Sequence, residues 1–438
     1  MLFLLLSLLA VQTPAPAPTP EAHARAVIAS LVAGDYAAIE SQYGDQLKAA
    51  LPPGALRASW TTSAPQLGAY QGITDVKTQP VTAAGIAIVV ATCRFANYDL
   101  PIRLGFDAAG RIVAFASLAP VSRATWSPPP YADPSAFDAR PVTLHTGHWD
   151  LPGIVTAPRS AGPHPAIVLV HGSGPNDINE SIGPNRMFED LAEGLASKGV
   201  VVLRYEKRTH KYGVKSSDDP AAFTVKDEEM DDADTGVALL AGMPDVDASR
   251  IFVAGHSEGG YLAPRIAARN RAVKGVILLA GNVRSLADAI VDQVQYQAKQ
   301  AGAMTPQIQQ AIDAANRSAA ELNDPNLKRG MTVHVLGSPL PASYVLDLRT
   351  YHPAETAAAL TIPILVLQGE RDYQVTMVDF GLWHRALDGH PNITFRSYPG
   401  LNHFFFSGTG PSMPGEYLTP SHVDAAVVAD IAAWCARK

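Results

Sequence analysis

The chain has 438 residues, enough for two or three folding units, and 47% of them are hydrophobic, enough for ordinary buried cores. Its 34 Lys and Arg against 41 Asp and Glu give a formal charge of −7, which excludes a generally basic nucleic-acid binder. Only two cysteines occur, Cys93 and Cys435, so a disulfide scaffold, a thiolate zinc cluster and an iron–sulfur site are excluded. One disulfide between them and two free thiols both stay open.

Residues 2–11 form an apolar run of about ten residues, too short to span a bilayer but of the length of a signal-peptide core. Residues 13–20 alternate Pro with small residues and read as an extended spacer. The expectation is a secreted or periplasmic protein, with 1–20 as signal peptide and spacer, although no Lys or Arg precedes the apolar run. No later segment has 18 apolar residues in a row, so no stable membrane span is expected.

Residues 21–119 read as a small α+β domain. Val27, Ile28 and Leu31 have helical spacing, and Gly34-Asp35 ends that helix and caps a second through Tyr36 and Ile39. Strand-like runs follow at 86–95 and at Ile102, Leu104 and Phe106, then a turn at 107–110 leads into Ile112-Val113. Nothing in this domain carries a candidate nucleophile, base or metal cluster. Six prolines between 120 and 141 mark a linker, ahead of a second unit at 142–438.

In that unit 142–157 reads as a hairpin. Short, wholly apolar runs at 166–170, 200–203, 250–254, 275–279, 364–367 and 393–397 alternate with helix-periodic stretches at 187–198, 226–240, 261–269, 377–387 and the C-terminus. Strands buried on both faces read as continuous apolar runs, so the alternation predicts a doubly wound, mostly parallel sheet. An insertion at 283–360 interrupts the pattern with two helices, near 285–300 and 305–322, whose apolar face is thin. Its place between two strands predicts a cap over the carboxyl edge of the sheet; a homodimerisation arm is the alternative.

Gly255-His256-Ser257-Glu258-Gly259 lies between a predicted strand and a predicted helix. A turn that tight needs small residues two before and two after the serine, and it leaves the hydroxyl at a helix N-terminus. A serine hydroxyl needs a base, and the base an orienting acid. His403 follows the strand at 393–397 and Asp372 follows the strand at 364–367, which gives the order Ser257, Asp372, His403. Glu370 is the rival acid. His256 occupies the variable position of the turn, and His145, His148, His384, His390 and His422 read as surface or packing residues. Backbone N–H groups of Glu258 and Ser173 are the expected oxyanion donors, with Gly174 as the fallback. The Glu258 side chain reads as a favourable charge at a helix start. Arg204-Tyr205-Glu206-Lys207-Arg208 points at the same sheet edge and is expected to tie loops together through carboxylates such as Asp231 and Asp232. No metal or cofactor motif occurs.

These segments, with His171-Gly172-Ser173-Gly174-Pro175, Gly369 to Asp372 and Leu401 to His403, resemble the α/β-hydrolase superfamily, in its secreted esterase and dienelactone-hydrolase-like branch. Residues 21–119 resemble the nuclear-transport-factor-like domain of unknown function that precedes such hydrolases. The resemblance implies a metal-independent serine carboxylesterase acting on small-molecule esters of short to medium chain, with no cofactor. A serine peptidase or amidase with the same triad is the alternative.

Overall fold

The computed structural model describes residues 18–51, 53–79, 85–118 and 120–437. Residues 1–17 of the expected signal peptide and spacer, 1–20, lie outside them, and Pro20, read as spacer, already belongs to the first helix. The chain forms two compact units, Met1–Thr125 and Trp126–Lys438.

In the first unit, Thr19 caps the helix Pro20–Ala33 by accepting from the Ala22 N–H at 3.2 Å, and Gly34 ends it in the left-handed conformation. Three further helices follow, Tyr36–Glu40, Asp45–Ala50 and Ala55–Leu67, where two were expected in all. The sheet is antiparallel, with strands Tyr70–Thr78, Ala87–Phe95, Tyr98–Phe106 and Ile112–Ser117 side by side in chain order. The first of these was not anticipated. None of its residues is fully buried, so its sequence carries no clear alternation. Cys93 is buried in this unit and Cys435 in the other, and both are free thiols.

The second unit holds an eight-stranded sheet. Its order is Ile393–Tyr398, Ile364–Gly369, Gly275–Leu279, Val246–His256, His164–Val170, Val201–Tyr205, Trp149–Pro158, Phe137–Thr146. The two strands of the N-terminal hairpin are antiparallel and the rest are parallel. The hairpin starts at Phe137, inside the stretch read as a linker. Pro141 fits there because this is the edge strand, where a missing N–H breaks no ladder on the open side. Trp126 also belongs to this unit, its indole N–H donating to Asp190 at 2.9 Å.

Alternate residues of each central strand face two separate cores, Val168 on one side and Ile167 and Leu169 on the other. That two-sided burial is the physical origin of the continuous apolar runs. The strand ends are in register: Gly255 lies opposite Val170, His256 opposite Leu279, and Gly369 opposite Tyr398. Loops leaving these carboxyl ends therefore converge on one edge. The insertion supplies helices Leu286–Gln300, Pro306–Leu322, Ala342–Arg349 and Pro353–Ala358 and a hairpin of Thr332–Val335 with Ser338–Pro341. It has a small apolar core of its own, including Ile290, Leu322 and Val345.

The C-terminal helix Ala425–Arg437 seals one face of the sheet. Trp434 is fully buried against Phe252, with ring centroids 5.1 Å apart. Trp434→Ala removes that contact and leaves a cavity, so urea unfolding followed by near-ultraviolet circular dichroism is expected to show a loss of about 3–5 kcal/mol. A loss below about 1 kcal/mol would mean that this face of the sheet is not closed by the helix.

Candidate active site

The strand Val246–His256 reverses into the helix Glu258–Arg269 through a single residue, Ser257, at φ 51 and ψ −115. That conformation is strained for a residue with a Cβ. It is imposed by how closely strand and helix approach. A Cβ on Gly255 would lie 2.0 Å from the Gly259 carbonyl oxygen, and one on Gly259 would lie 2.3 Å from that of Val170. The turn is pinned at both ends: the Ser257 N–H donates to Leu279 O at 2.9 Å, and Ser257 O accepts from the Tyr261 N–H at 3.0 Å.

Asp372 and His403 come together on the loops after two neighbouring strands. His403 Nδ1 lies 2.6 Å from Asp372 Oδ2, and both side chains are buried. The carboxylate accepts three more hydrogen bonds: the Gln374 and Val375 N–H groups reach Oδ1 at 2.7 and 3.0 Å, and Gln368 Nε2 reaches Oδ2 at 3.0 Å. Glu370, the rival acid, is turned away and accepts from Ser397 Oγ at 2.8 Å. Of the remaining histidines, His145 pairs with Asp150, His148 with Asp218 and His422 with Asp190; His384 stacks on Phe395, and His390 reaches Leu360 O.

His256 is not a free position of the turn. It is buried between two partners, with Nδ1 3.0 Å from Glu180 Oε1 and Nε2 3.1 Å from His403 O. Burial opposes a charged ring, but the Glu180 carboxylate outweighs it and raises the His256 pKa. The Glu180 pKa is lowered, burial notwithstanding, by His256 and the Gly172 N–H. The same Glu180 oxygen accepts the Gly172 N–H at 2.7 Å. One carboxylate thus ties the loop after His164–Val170 to the serine turn and the His403 backbone. Sequence reasoning missed Glu180 because it sits at φ 46 in an irregular loop with no motif around it.

The Arg204–Arg208 segment ties loops together as expected, through partners only half anticipated. Arg208 forms two hydrogen bonds with buried Asp232, but Asp231 pairs with Lys226 and Arg269 instead. Arg204 bonds Asn179, Thr156 and Glu189. Lys207 is fully buried, 2.6 Å from Glu229 and 3.6 Å from Glu228. Those two glutamates lie on a π-helical turn, Lys226–Met230, a helix defect common at functional sites. Glu258 meets the same cluster from the other side through Tyr344, whose hydroxyl bonds both Glu228 and Glu258 at 2.7 and 3.1 Å. Burial raises the Glu258 pKa, and the Tyr344 hydroxyl gives its side chain a structural partner in the insertion.

A cavity of about 430 Å³ opens above Ser257. Ser173, Ser257 and Glu258 form its floor, and insertion residues such as Leu286, Leu322, Val345 and Leu348 line its walls. Insertion residues and Ser257 therefore line one cavity. Arg265 holds the insertion by two hydrogen bonds to Asp347, and Tyr261 and Tyr351 exchange hydroxyl-to-carbonyl bonds across the join. Among the described residues, neither the Ser173 nor the Glu258 N–H has a hydrogen-bond partner.

A sequence profile of the alpha/beta hydrolase family matches residues 167–417. Another, described as a protein of unknown function (DUF3887), matches 24–115 and names the first unit no further. Esterase EstD of Thermotoga maritima is 36% identical over 393 residues, 90% of each chain. A putative dienelactone hydrolase of Klebsiella pneumoniae aligns over 69% of this chain and 100% of its own at 18% identity and a TM-score of 0.41. Est1E of Butyrivibrio proteoclasticus aligns over 68% and 99% at 16% and 0.44. Profile match, curated relative and the strand–serine–helix turn agree: the chain belongs to the alpha/beta hydrolase family, as an enzyme of the hydrolase/esterase class.

Proposed function

We propose that the protein is a serine carboxylesterase that uses Ser257 as nucleophile, His403 as base and Asp372 as the acid that orients it. The observation that carries this reading is the 2.6 Å bond from His403 Nδ1 to Asp372 on the sheet edge that bears the strained Ser257. A Nδ1–H donated to Asp372 leaves the Nε2 lone pair as the base. His403 takes the hydroxyl proton while Ser257 Oγ bonds to the ester carbonyl carbon, and the carbonyl electron pair moves onto oxygen. The Ser173 and Glu258 amides receive that oxyanion. When the C–O bond breaks, the leaving alkoxide collects the proton from His403. Water, activated by the same base, then hydrolyses the acyl-enzyme. The likeness to esterase EstD supports an ester substrate, and the apolar lining of the cavity supports an acyl group of short to medium length. The apolar run at 2–11 supports export, which fractionation of the expressing cell tests.

Ser257→Ala is expected to stay folded and to lose at least about 10⁴-fold in kcat on a p-nitrophenyl ester, because members of such a set act as a unit. Asp372→Asn is expected to lose about 10³- to 10⁴-fold by favouring the wrong imidazole tautomer. A phosphonate should label Ser257 alone. A folded Ser257→Ala variant with near-parental turnover would end the assignment. A panel of p-nitrophenyl esters from acetate to palmitate, run beside aminoacyl-p-nitroanilides, separates an esterase from a peptidase.

Val345 projects from the insertion into the cavity. Val345→Trp should therefore move acyl preference toward acetate, with kcat/KM on octanoate falling about tenfold or more relative to acetate. An unchanged ratio in a folded variant would show that the acyl chain lies elsewhere.

A further inference from the structure

The Arg204–Arg208 segment contains a cation whose place is not explained by loop tethering. Lys207 has no solvent exposure; its ammonium donates to the Gly172 carbonyl oxygen at 2.9 Å and lies 2.6 Å from Glu229 Oε1 as an ion pair. Asn176 Nδ2 donates to the same Gly172 oxygen, also at 2.9 Å. Both lone pairs of that carbonyl are thus engaged. Glu180 meanwhile takes the N–H of Gly172, so the residue is gripped on both sides. The Gly172 carbonyl and the Ser173 N–H belong to one peptide unit. In a trans peptide these two groups point in opposite directions. Fixing the oxygen toward Lys207 therefore turns the Ser173 N–H away from it, and Ser173 lies with Ser257 on the cavity floor. The loop is close to the nucleophile: a Cβ built on Gly172 would sit 3.2 Å from Ser257 Cβ.

Resting on the serine-esterase reading above, we propose that Lys207 is a positioning residue for the oxyanion hole, which orients and polarises the Gly172–Ser173 peptide so that the Ser173 N–H becomes a stronger donor. A cation on a peptide oxygen draws electron density through the amide resonance and leaves the N–H more positive. Lys207 and Gly172 are both buried, so this acts at short range and with little screening by water. Burial alone would lower the Lys207 pKa, but Glu228 and Glu229 outweigh it and raise it. The gain is realised only once negative charge forms on the substrate oxygen, so it favours the transition state over bound ester.

The test compares the full-length wild type with Lys207→Met, the charge-neutral pair Lys207→Met/Glu229→Gln, and Asn176→Ala. Each is assayed for kcat and KM on a p-nitrophenyl ester. Each is also titrated with an alkyl trifluoromethyl ketone, which forms an oxyanion with a serine, and with the matching methyl ketone, which does not. Losing a whole oxyanion donor costs about 10²- to 10³-fold, so losing its orientation and polarisation should cost about 10- to 100-fold. That loss is expected in kcat and in trifluoromethyl ketone affinity for both Lys207 variants. KM and methyl ketone affinity should stay within about threefold, since ground-state binding does not use the oxyanion. The double variant should recover thermal stability without recovering this affinity. Asn176→Ala, which removes the neutral one of the two donors to Gly172, should show a smaller loss of about three- to tenfold. Wild-type trifluoromethyl ketone affinity in the folded double variant would overturn the proposal, because Lys207 would then serve only to neutralise Glu229. If neither Lys207 variant folds, undiminished affinity in Asn176→Ala overturns it. A wild type whose inhibition survives Ser257→Ala would instead strike the esterase reading itself.

Discussion

The candidate active site depends on one backbone approach. Strand and helix meet at Gly255 and Gly259 so closely that neither position has room for a methyl group, and Ser257 is forced into a strained positive-φ conformation between them. The strain is sustained by the ladder bonds of the surrounding strands and by the Leu279 carbonyl that receives the Ser257 N–H. Because Gly259 also packs against the backbone of Val170 and His171, the same contact fixes the start of the loop that carries Ser173. Ser257 and the loop that carries Ser173 are therefore set by a single steric event.

Buried charge then refines what backbone packing sets roughly. Glu180 with His256, and Lys207 with Glu228 and Glu229, are cut off from water, and each pair bonds a backbone group of the loop or of His403. Unpaired, any one of these groups would be costly to bury. Paired, they give the loop directional anchors that apolar packing does not supply. The π-helical turn at Lys226–Met230 belongs to this arrangement, because it brings Glu228 and Glu229 to Lys207 from adjacent positions.

The insertion completes the site by a different principle. Its own core is small, and its hold on the sheet domain is largely polar, through Arg265 with Asp347, Tyr261 with Tyr351, and Tyr344 with Glu228 and Glu258. It contributes apolar walls of the cavity, while the sheet carries Ser257, Asp372 and His403.

The sequence alone determined the sheet and the order of the serine, acid and histidine, because strands buried on both faces leave continuous apolar runs and a strand-to-helix turn around a serine leaves glycines at fixed spacing. Five of the parallel strands and the two long cap helices fall within a few residues of their expected bounds. Tertiary structure decided the exposed strand Tyr70–Thr78, the hairpin start at Phe137, and the cap's hairpin and last two helices, whose residues carry little periodicity. It also decided that Asp372 rather than Glu370 meets His403, since two carboxylates two residues apart differ only in the direction their loop turns them. Glu180 and the partners of Lys207 were invisible for a related reason: Glu180 meets His256, and Lys207 meets Gly172 and Glu229, across tens of residues, and no local spacing records such a contact.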